Sequence, residues 1–191
     1  MKIYLVERIL AFLEKRCQFK SDTEKEKIRY ILMVIIGECG KFFFLLLIFM
    51  TVNRCKEYVF AVLTVLITRS FAGGPHEKNS TLCWIHTILF FMSVMLLSGY
   101  YWSEVAYSTV LLFAFGTYLL FAPIVSKTRG FCSRPKKMRL KRYSIYGIFV
   151  VIIMMQLIPS YKRVMVAAIF LELIEFYYLL LKERRIKKCG E

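Results

Sequence analysis

The sequence predicts an all-α polytopic membrane protein with about six transmembrane helices and an N-terminal amphipathic helix. Of its 191 residues, 58% are hydrophobic, whereas an ordinary soluble domain is about 45–50% apolar. Several apolar runs approach or exceed the ~20 residues that cross a bilayer. Lysine and arginine, which give the chain a net charge of +15, concentrate between those runs, as they do in the loops of membrane proteins.

The first predicted element is an amphipathic helix over residues 3–14. Its apolar side chains recur at helical spacing, at Ile3, Val6, Ile9, Leu10 and Leu13. Such a helix lies in the plane of the membrane interface or packs against the cytoplasmic face of its own protein. The sequence leaves both arrangements open. Ser21-Asp22-Thr23-Glu24 is a capping-box signature, so a second helix begins there and continues into the first span.

Six apolar segments are predicted to span the membrane. In order they cover residues 29–52, 57–72, 82–98, 105–125, 143–158 and 163–181. Pro123 falls near the end of the fourth segment, where a proline disturbs a helix least. Tyr100, Tyr101 and Trp102 follow the third segment and predict an aromatic belt at the outer membrane interface.

A single membrane domain is predicted over residues 1–191. In it, residues 1–28 are cytoplasmic or interfacial helices, 29–181 form the transmembrane bundle, and 182–191 form a basic tail. The first apolar patch is short and interrupted by charged residues, so we expect no cleavable signal peptide.

The orientation of the spans follows from the positions of lysine and arginine. Eight precede the first span, eight lie between residues 127 and 142, and five follow the last span. The other side of the bundle has four, at Arg54, Lys56, Lys162 and Arg163. Both termini are therefore predicted to lie in the cytoplasm.

The same charges predict contact with anionic membrane lipid. Nucleic acid is not expected as a partner, because no soluble domain presents the charge.

The cysteines do not suggest a metal site. They stand at positions 17, 39, 55, 83, 132 and 189, without a Cys-x-x-Cys pair or metal-ligand spacing. We therefore expect neither a metal nor another cofactor. Their scatter over predicted cytoplasmic, membrane and outer positions also argues against a disulfide framework.

The most informative stretch lies between the second and third predicted spans. Gly73, Gly74 and Pro75 are predicted to end the incoming helix, because glycine raises backbone entropy and proline disfavours helix in the residue before it. His76 follows this break, and Cys83 begins the next apolar run. A cysteine with an imidazole in reach can become a thiolate and attack an acyl carbon.

The spacing of this pair makes a geometric demand. On one straight helix, residues seven apart are separated by roughly 10 Å along the axis, which is too far for proton transfer. His76 must therefore fold back from the turn while Cys83 occupies the first turn of the following helix, where the helix dipole favours a thiolate. His86, three residues after Cys83, is the alternative base by helical geometry.

The pattern Arg69-x3-Gly73-Gly74-x-His76-x6-Cys83 between membrane helices resembles the accessory gene regulator B family. Members of that family are bacterial membrane endopeptidases that process a quorum-sensing propeptide. The resemblance implies that His76 and Cys83 are catalytic and that Arg69, Gly73 and Gly74 support the site. It also implies a multi-pass protein of the bacterial cell membrane, which forms a thioester on Cys83 and transfers the acyl group to a substrate thiol.

The resemblance further implies a propeptide substrate with an acidic C-terminal tail. The basic loop 127–142, with Lys136, Lys137 and Arg139, would attract that tail electrostatically. The alternative role of this loop is to anchor the protein on anionic lipid. A bundle this small is also expected to close its cavity by forming a homodimer.

Charged residues inside the predicted spans are costly and need partners or water. They are Glu38, Lys41, Arg69, Glu172 and Glu175. They either pair with each other and hold the bundle together or line a substrate cavity. We expect Arg69 to pair with a span carboxylate, for which Glu175 lies at a suitable depth.

Two other classes of function remain open at this point. One is a small multi-span transporter or channel, with Glu38, Glu172 and Glu175 as its ion pathway. The other is a non-enzymatic membrane scaffold with a basic cytoplasmic surface.

Overall fold

A computed structural model of the protein describes residues 2–16, 21–72, 80–121 and 134–188. Within these ranges the chain is helical and contains no strand. The helices are α1 (Lys2–Arg16), α2 (Asp22–Thr51), α3 (Cys55–Ala72), α4 (Ser80–Ser98), α5 (Glu104–Phe121), α6 (Arg134–Leu157) and α7 (Lys162–Lys188), with a 3-10 turn at Pro159–Tyr161. The predicted all-α polytopic membrane fold is confirmed.

Five segments of the described chain are long and apolar enough to cross a membrane. They are Asp22–Thr51, Thr81–Ser98, Glu104–Phe121, Met138–Leu157 and Pro159–Leu181. They correspond to the first, third, fourth, fifth and sixth predicted spans. The second predicted span lies in α3, which has 18 residues and includes Lys56, Glu57 and Arg69. Its place in the membrane stays a prediction.

Residues 1–53 form one compact unit, in which α1 packs against α2. The predicted N-terminal cap of α2 is present, because the Ser21 hydroxyl accepts a hydrogen bond from the Glu24 backbone N–H at 3.3 Å. Val6 and Leu10 of the amphipathic helix are buried, while Ile3 remains 63% exposed. Only part of the predicted apolar stripe therefore packs inside this unit.

Residues 54–191 form a second compact unit with α7 at its centre. Helices α3, α4, α5 and α6 all contact α7. Residues 164–169 of α7 are buried without interruption. The sequence explains this position, since Val-Met-Val-Ala-Ala-Ile is apolar on every face of the helix. Its alanines also allow neighbouring helices to approach closely.

Gly147 lies at a close approach between α3 and α6. A Cβ atom at this position would lie 2.9 Å from the backbone carbonyl oxygen of Ile67. Small residues at helix contacts let backbones meet in a bundle where hydrophobic burial from water is weak. Gly147 therefore lets α3 pack tightly against α6 and so helps to position Arg69 at the end of α3.

Replacing Gly147 by alanine should lower the free energy of unfolding by about 1–3 kcal/mol, the usual cost of overpacking. Gly116→Ala is the matched control, because nothing lies within 4 Å of its Cβ position. That variant should unfold at the same temperature as the parent or slightly higher, since alanine favours helix. Thermal unfolding in detergent measures both. Equal melting temperatures for the two variants would show that α3 and α6 separate at no cost.

Candidate functional site

Cys83 is the fourth residue of α4 and therefore occupies its first turn, as predicted. Its side chain is partly buried. The preceding helix, α3, ends at Ala72, directly before Gly73. Gly73, Gly74 and His76 lie outside the described residues, so the distance between His76 and Cys83 stays a prediction.

The predicted substrate-binding lysines belong to the start of α6. Lys136 and Lys137 lie in its first turn, although their side chains are outside the described part of the chain. Arg139, in the second turn of the same helix, is exposed. Arg139 is thus accessible at the surface of the described chain.

Arg69 lies near the end of α3 and pairs with two carboxylates of α7. Its Nε lies 3.4 Å from Glu172 Oε1, and its Nη2 contacts Glu175 Oε2. The guanidinium carbon also lies 5.1 Å from the centroid of the Phe90 ring, close enough for a cation–π interaction. The expected pairing of Arg69 with a span carboxylate is confirmed, and Glu172 is a second partner that was not singled out.

Glu172 is the most deeply buried charged residue of this cluster, at 3% exposure. Besides Arg69, it accepts a hydrogen bond from Thr68 Oγ1 at 2.5 Å and another from the Tyr118 hydroxyl at 3.4 Å. A carboxylate away from water is tolerated only when it is paired and hydrogen-bonded. These contacts join α3, α5 and α7 at one point.

His86 brings α4 into the same cluster. Its Nε2 lies 3.1 Å from Glu175 Oε1. Glu175 therefore bridges His86 of α4 and Arg69 of α3, and this bridge holds the helix that carries Cys83 against α7. The sequence indicated His86 as an alternative base but did not indicate its carboxylate partner.

The remaining charged residues of the predicted spans form a separate pair. Lys41 Nζ lies 2.6 Å from Glu38 Oε1, three residues earlier in α2. All five charged residues thus take part in ion pairs. The pairs of Arg69 with Glu172 and Glu175 connect α3 with α7 and favour a role in holding helices together, whereas the pair of Glu38 and Lys41 lies within α2. In the described part of the chain, no three His, Cys, Asp or Glu side chains lie close enough to share a metal ion.

Comparison with known proteins identifies the family. The family model of accessory gene regulator B matches residues 6–180. The chain belongs to the accessory gene regulator B family. This match includes Arg69, Cys83 and both α7 carboxylates, and it confirms the resemblance found in the sequence motif. The AgrB family takes part in accessory gene regulation, a quorum-sensing system, and the apolar helices are those of a membrane protein.

Three relatives are similar to this AgrB-family chain over most of their length. An AgrB-like protein of Clostridium beijerinckii is 25% identical over 175 residues, covering 90% of this chain and 86% of the relative. AgrB-like protein 2 of Clostridium perfringens is 25% identical, covering 76% of each chain. Accessory gene regulator protein B of Staphylococcus saprophyticus is 24% identical, covering 82% of this chain and 84% of the relative. No solved structure matches.

In Arg69→Lys, one ammonium group replaces two guanidinium nitrogens that face two different carboxylates. Because lysine cannot reproduce this fork, we expect the free energy of unfolding to fall by roughly 1–3 kcal/mol. Thermal unfolding in detergent measures the change. Arg142→Lys is the matched control, because Arg142 is exposed on α6. If the Arg69 variant unfolded at the temperature of the parent, the contacts of Arg69 with the two carboxylates would not stabilise the fold.

Proposed function

We propose that this protein is a membrane cysteine endopeptidase that removes the C-terminal tail of a small propeptide and promotes closure of a thiolactone ring for quorum sensing. The position of Cys83 carries the proposal. It stands in the first turn of α4, partly buried, seven residues after the His76 that ends the Gly-Gly-Pro-His segment. Helix N-termini favour thiolates. Membership of the AgrB family supports the same interpretation.

In the first step, His76 accepts the proton of the Cys83 thiol, and the thiolate attacks a peptide carbonyl of the bound propeptide. The new S–C bond forms a tetrahedral intermediate, and the C–N bond then breaks. The protonated imidazole returns its proton to the departing amine of the tail. An acyl thioester remains on Cys83, and backbone N–H groups at the start of α4 are the candidate oxyanion donors.

In the second step, the thiolate of a cysteine within the substrate attacks the thioester carbonyl. A new S–C bond forms in the substrate, and the bond between the carbonyl and Cys83 breaks. The Cys83 thiolate is regenerated and takes up the proton released by the substrate thiol. Because one thioester replaces another, the step is close to thermoneutral. Exclusion of water from the partly buried Cys83 therefore favours ring closure over hydrolysis.

The ion-pair cluster on α7 would position this site. Arg69 stands three residues before the end of α3, so its contacts with α7 hold the stem from which residues 73–79 begin. His86 attaches α4, three residues after Cys83, to the same carboxylate. Together these contacts would keep the two stems of the His76–Cys83 segment at a constant separation.

The identity of the general base has two candidates on this chain. His76 belongs to the sequence motif and is our assignment. His86 is the alternative, and its contact with Glu175 would orient the ring as carboxylates orient catalytic imidazoles. A purely positioning role for His86 would tolerate glutamine, which keeps a hydrogen bond to Glu175, whereas a base would not.

Co-expression with the propeptide tests the nucleophile. We expect Cys83→Ala to abolish cleavage and Cys83→Ser to reduce it at least a hundredfold, with unchanged amounts of protein in the membrane. Mass spectrometry of the parent should detect an acyl adduct on Cys83. Cys55→Ala is the control, because Cys55 is also a partly buried thiol. Continued cleavage by Cys83→Ala would eliminate the peptidase assignment.

The same assay separates the two candidate bases. His76→Ala should lose cleavage and slow alkylation of Cys83 by iodoacetamide, while His86→Gln should retain most of both. The reverse pattern would show that His86 is the base.

The two other classes of function predict different results. A small transporter would move solute in liposomes without cleaving peptide, and a scaffold would leave Cys83 inert to alkylation at neutral pH.

Recognition of the substrate tail would use the basic residues at the start of α6. Arg139 is exposed there, and Lys136 and Lys137 precede it in the chain. An acidic tail would be attracted by these charges, mainly before the peptide docks. This role requires the loop 127–142 and Cys83 to face the same compartment. The distribution of lysine and arginine predicts that this compartment is the cytoplasm and that both termini lie there.

Neutralising Lys136, Lys137 and Arg139 together to glutamine should raise KM for the propeptide about tenfold and flatten its dependence on salt, because long-range attraction is screened by ions. The value of kcat should change little. The matched control neutralises three cations of the tail, Arg184, Arg185 and Lys187. An unchanged KM, or an equal rise in the control, would remove the proposed role of this loop.

A further inference from the structure

Cys83 and His86 lie on the same face of α4. They are three residues apart, so helical geometry brings their Cβ atoms to about 5–6 Å from each other. Phe90 continues this face at the next helical repeat and is buried in the bundle, whereas Ile85 and Leu89 on the other face are exposed. A thioester on Cys83 therefore forms next to the His86 imidazole.

The ring of His86 is oriented by the Glu175 carboxylate. Its Nε2 lies 3.1 Å from Glu175 Oε1, while Oε2 of the same carboxylate contacts Arg69. Each carboxylate oxygen thus has its own partner, and Arg69 holds Glu175 in place from α3. An Nε2–H that faces a carboxylate leaves Nδ1 as the basic nitrogen of the neutral ring. The contact therefore defines the tautomer of His86.

His86 is the accessible member of this cluster. Its side chain is 43% exposed, compared with 28% for Arg69, 16% for Glu175 and 2% for Glu172. These are the charged groups that α3 and α7 present around it in the described part of the chain, and Tyr118 of α5 contacts Glu172 behind them. A substrate at Cys83 can therefore reach the His86 ring, but the carboxylates are covered.

The proposed chemistry has a step that a second base would assist. In the first step His76 serves the Cys83 thiol and the departing amine of the tail. That amine is released next to His76 and can attack the thioester again, because an amide is more stable than a thioester. Ring closure competes with this return. A base on the other side of Cys83, which serves the substrate thiol alone, favours closure.

We propose, on the basis of the function proposed above, that His86 is the catalytic base of ring closure. Its Nδ1 takes the proton of the substrate thiol, and the resulting thiolate attacks the thioester carbonyl. A new S–C bond forms in the substrate, and the bond between the carbonyl and Cys83 Sγ breaks. The imidazolium then gives its proton to the Cys83 thiolate. Glu175 is a positioning residue that orients the ring and stabilises the imidazolium.

A propeptide whose ring-closing cysteine is replaced by alanine isolates this step, because its acyl group stays on Cys83. The adduct is formed on the full chain in detergent, and N-acetylcysteine amide is then added as the attacking thiol. Mass spectrometry follows the loss of the adduct, and a sample without thiol gives the rate of hydrolysis. We expect His86→Gln to slow the transfer at least tenfold at neutral pH, a typical loss for a general base.

The pH dependence separates a base from a structural support. At about pH 10 a cysteine thiol, with its usual pKa of about 8.5, is already ionised and needs no base. The rate of His86→Gln should then come within about twofold of the parent, whereas a displaced Cys83 would be slow at both pH values. Glu104→Gln is the matched control, because it loses an ion pair with Lys162 at the start of α5. It should transfer the acyl group as fast as the parent.

Two results would overturn the role of His86. Equal transfer by the parent and His86→Gln at neutral pH would assign both steps to His76, and a deficit that persists at high pH would show a structural role. Absence of any adduct on Cys83 in the parent would instead reject the peptidase itself. If His86→Gln did not fold, Glu175→Gln would decide. It should slow transfer at least tenfold at neutral pH and recover at high pH, and unchanged transfer would reject the proposal.

Discussion

The structure depends on a guanidinium and two carboxylates that meet inside an apolar bundle. A charge in such surroundings costs several kcal/mol unless it is paired and hydrogen-bonded. Glu172 meets this condition with Arg69 on α3, Thr68 on α3 and Tyr118 on α5. Apolar contacts between helices in lipid distinguish poorly between alternative registers, because lipid tails are as apolar as leucine. The ion pairs of Arg69 therefore help to determine which turns of α3 and α7 face each other, and the hydrogen bond from Tyr118 adds α5 to the same point.

The ion-pair cluster is connected to the candidate nucleophile, Cys83, through helix α4. His86 contacts the Glu175 carboxylate, which Arg69 also contacts, and Cys83 lies one turn before His86 on the same helix. A change that weakens the cluster would move both stems of the 73–79 segment. Rigid support from packed helices is what a nucleophile and its base need, since small displacements are costly to catalysis. The buried cluster and the proposed chemistry are in this way parts of one arrangement.

The two ends of the second unit differ in character. The end with Cys83 carries the start of the basic α6 segment. The other end holds a cavity lined by three basic and two acidic side chains, those of Arg54, Lys162, Arg163, Glu57 and Glu104. Helix α7 connects them, with Arg163 at one end and Glu172 and Glu175 nearer the other.

Local patterns predicted much of the fold. Hydropathy and length located five segments that match candidate spans, and Ser21 caps α2 as the capping signature indicates. The apolar face predicted for α1 is only partly buried in the structure: Val6 and Leu10 are buried, but Ile3 is exposed. Burial of a stripe depends on which part of it meets another helix, and spacing alone does not contain that information.

The sequence by itself determined the membrane character, the charged positions and the Arg69–Cys83 motif. Each of these depends on residues close together in the chain, through apolar run length, helical period and motif spacing. Only the tertiary structure decided which charges meet. Thr68 and Glu172, for example, are 104 residues apart and join through one hydrogen bond. Such pairs depend on how α3, α5 and α7 pack, and so does the cavity at Arg163, because its walls come from segments that are distant in the chain.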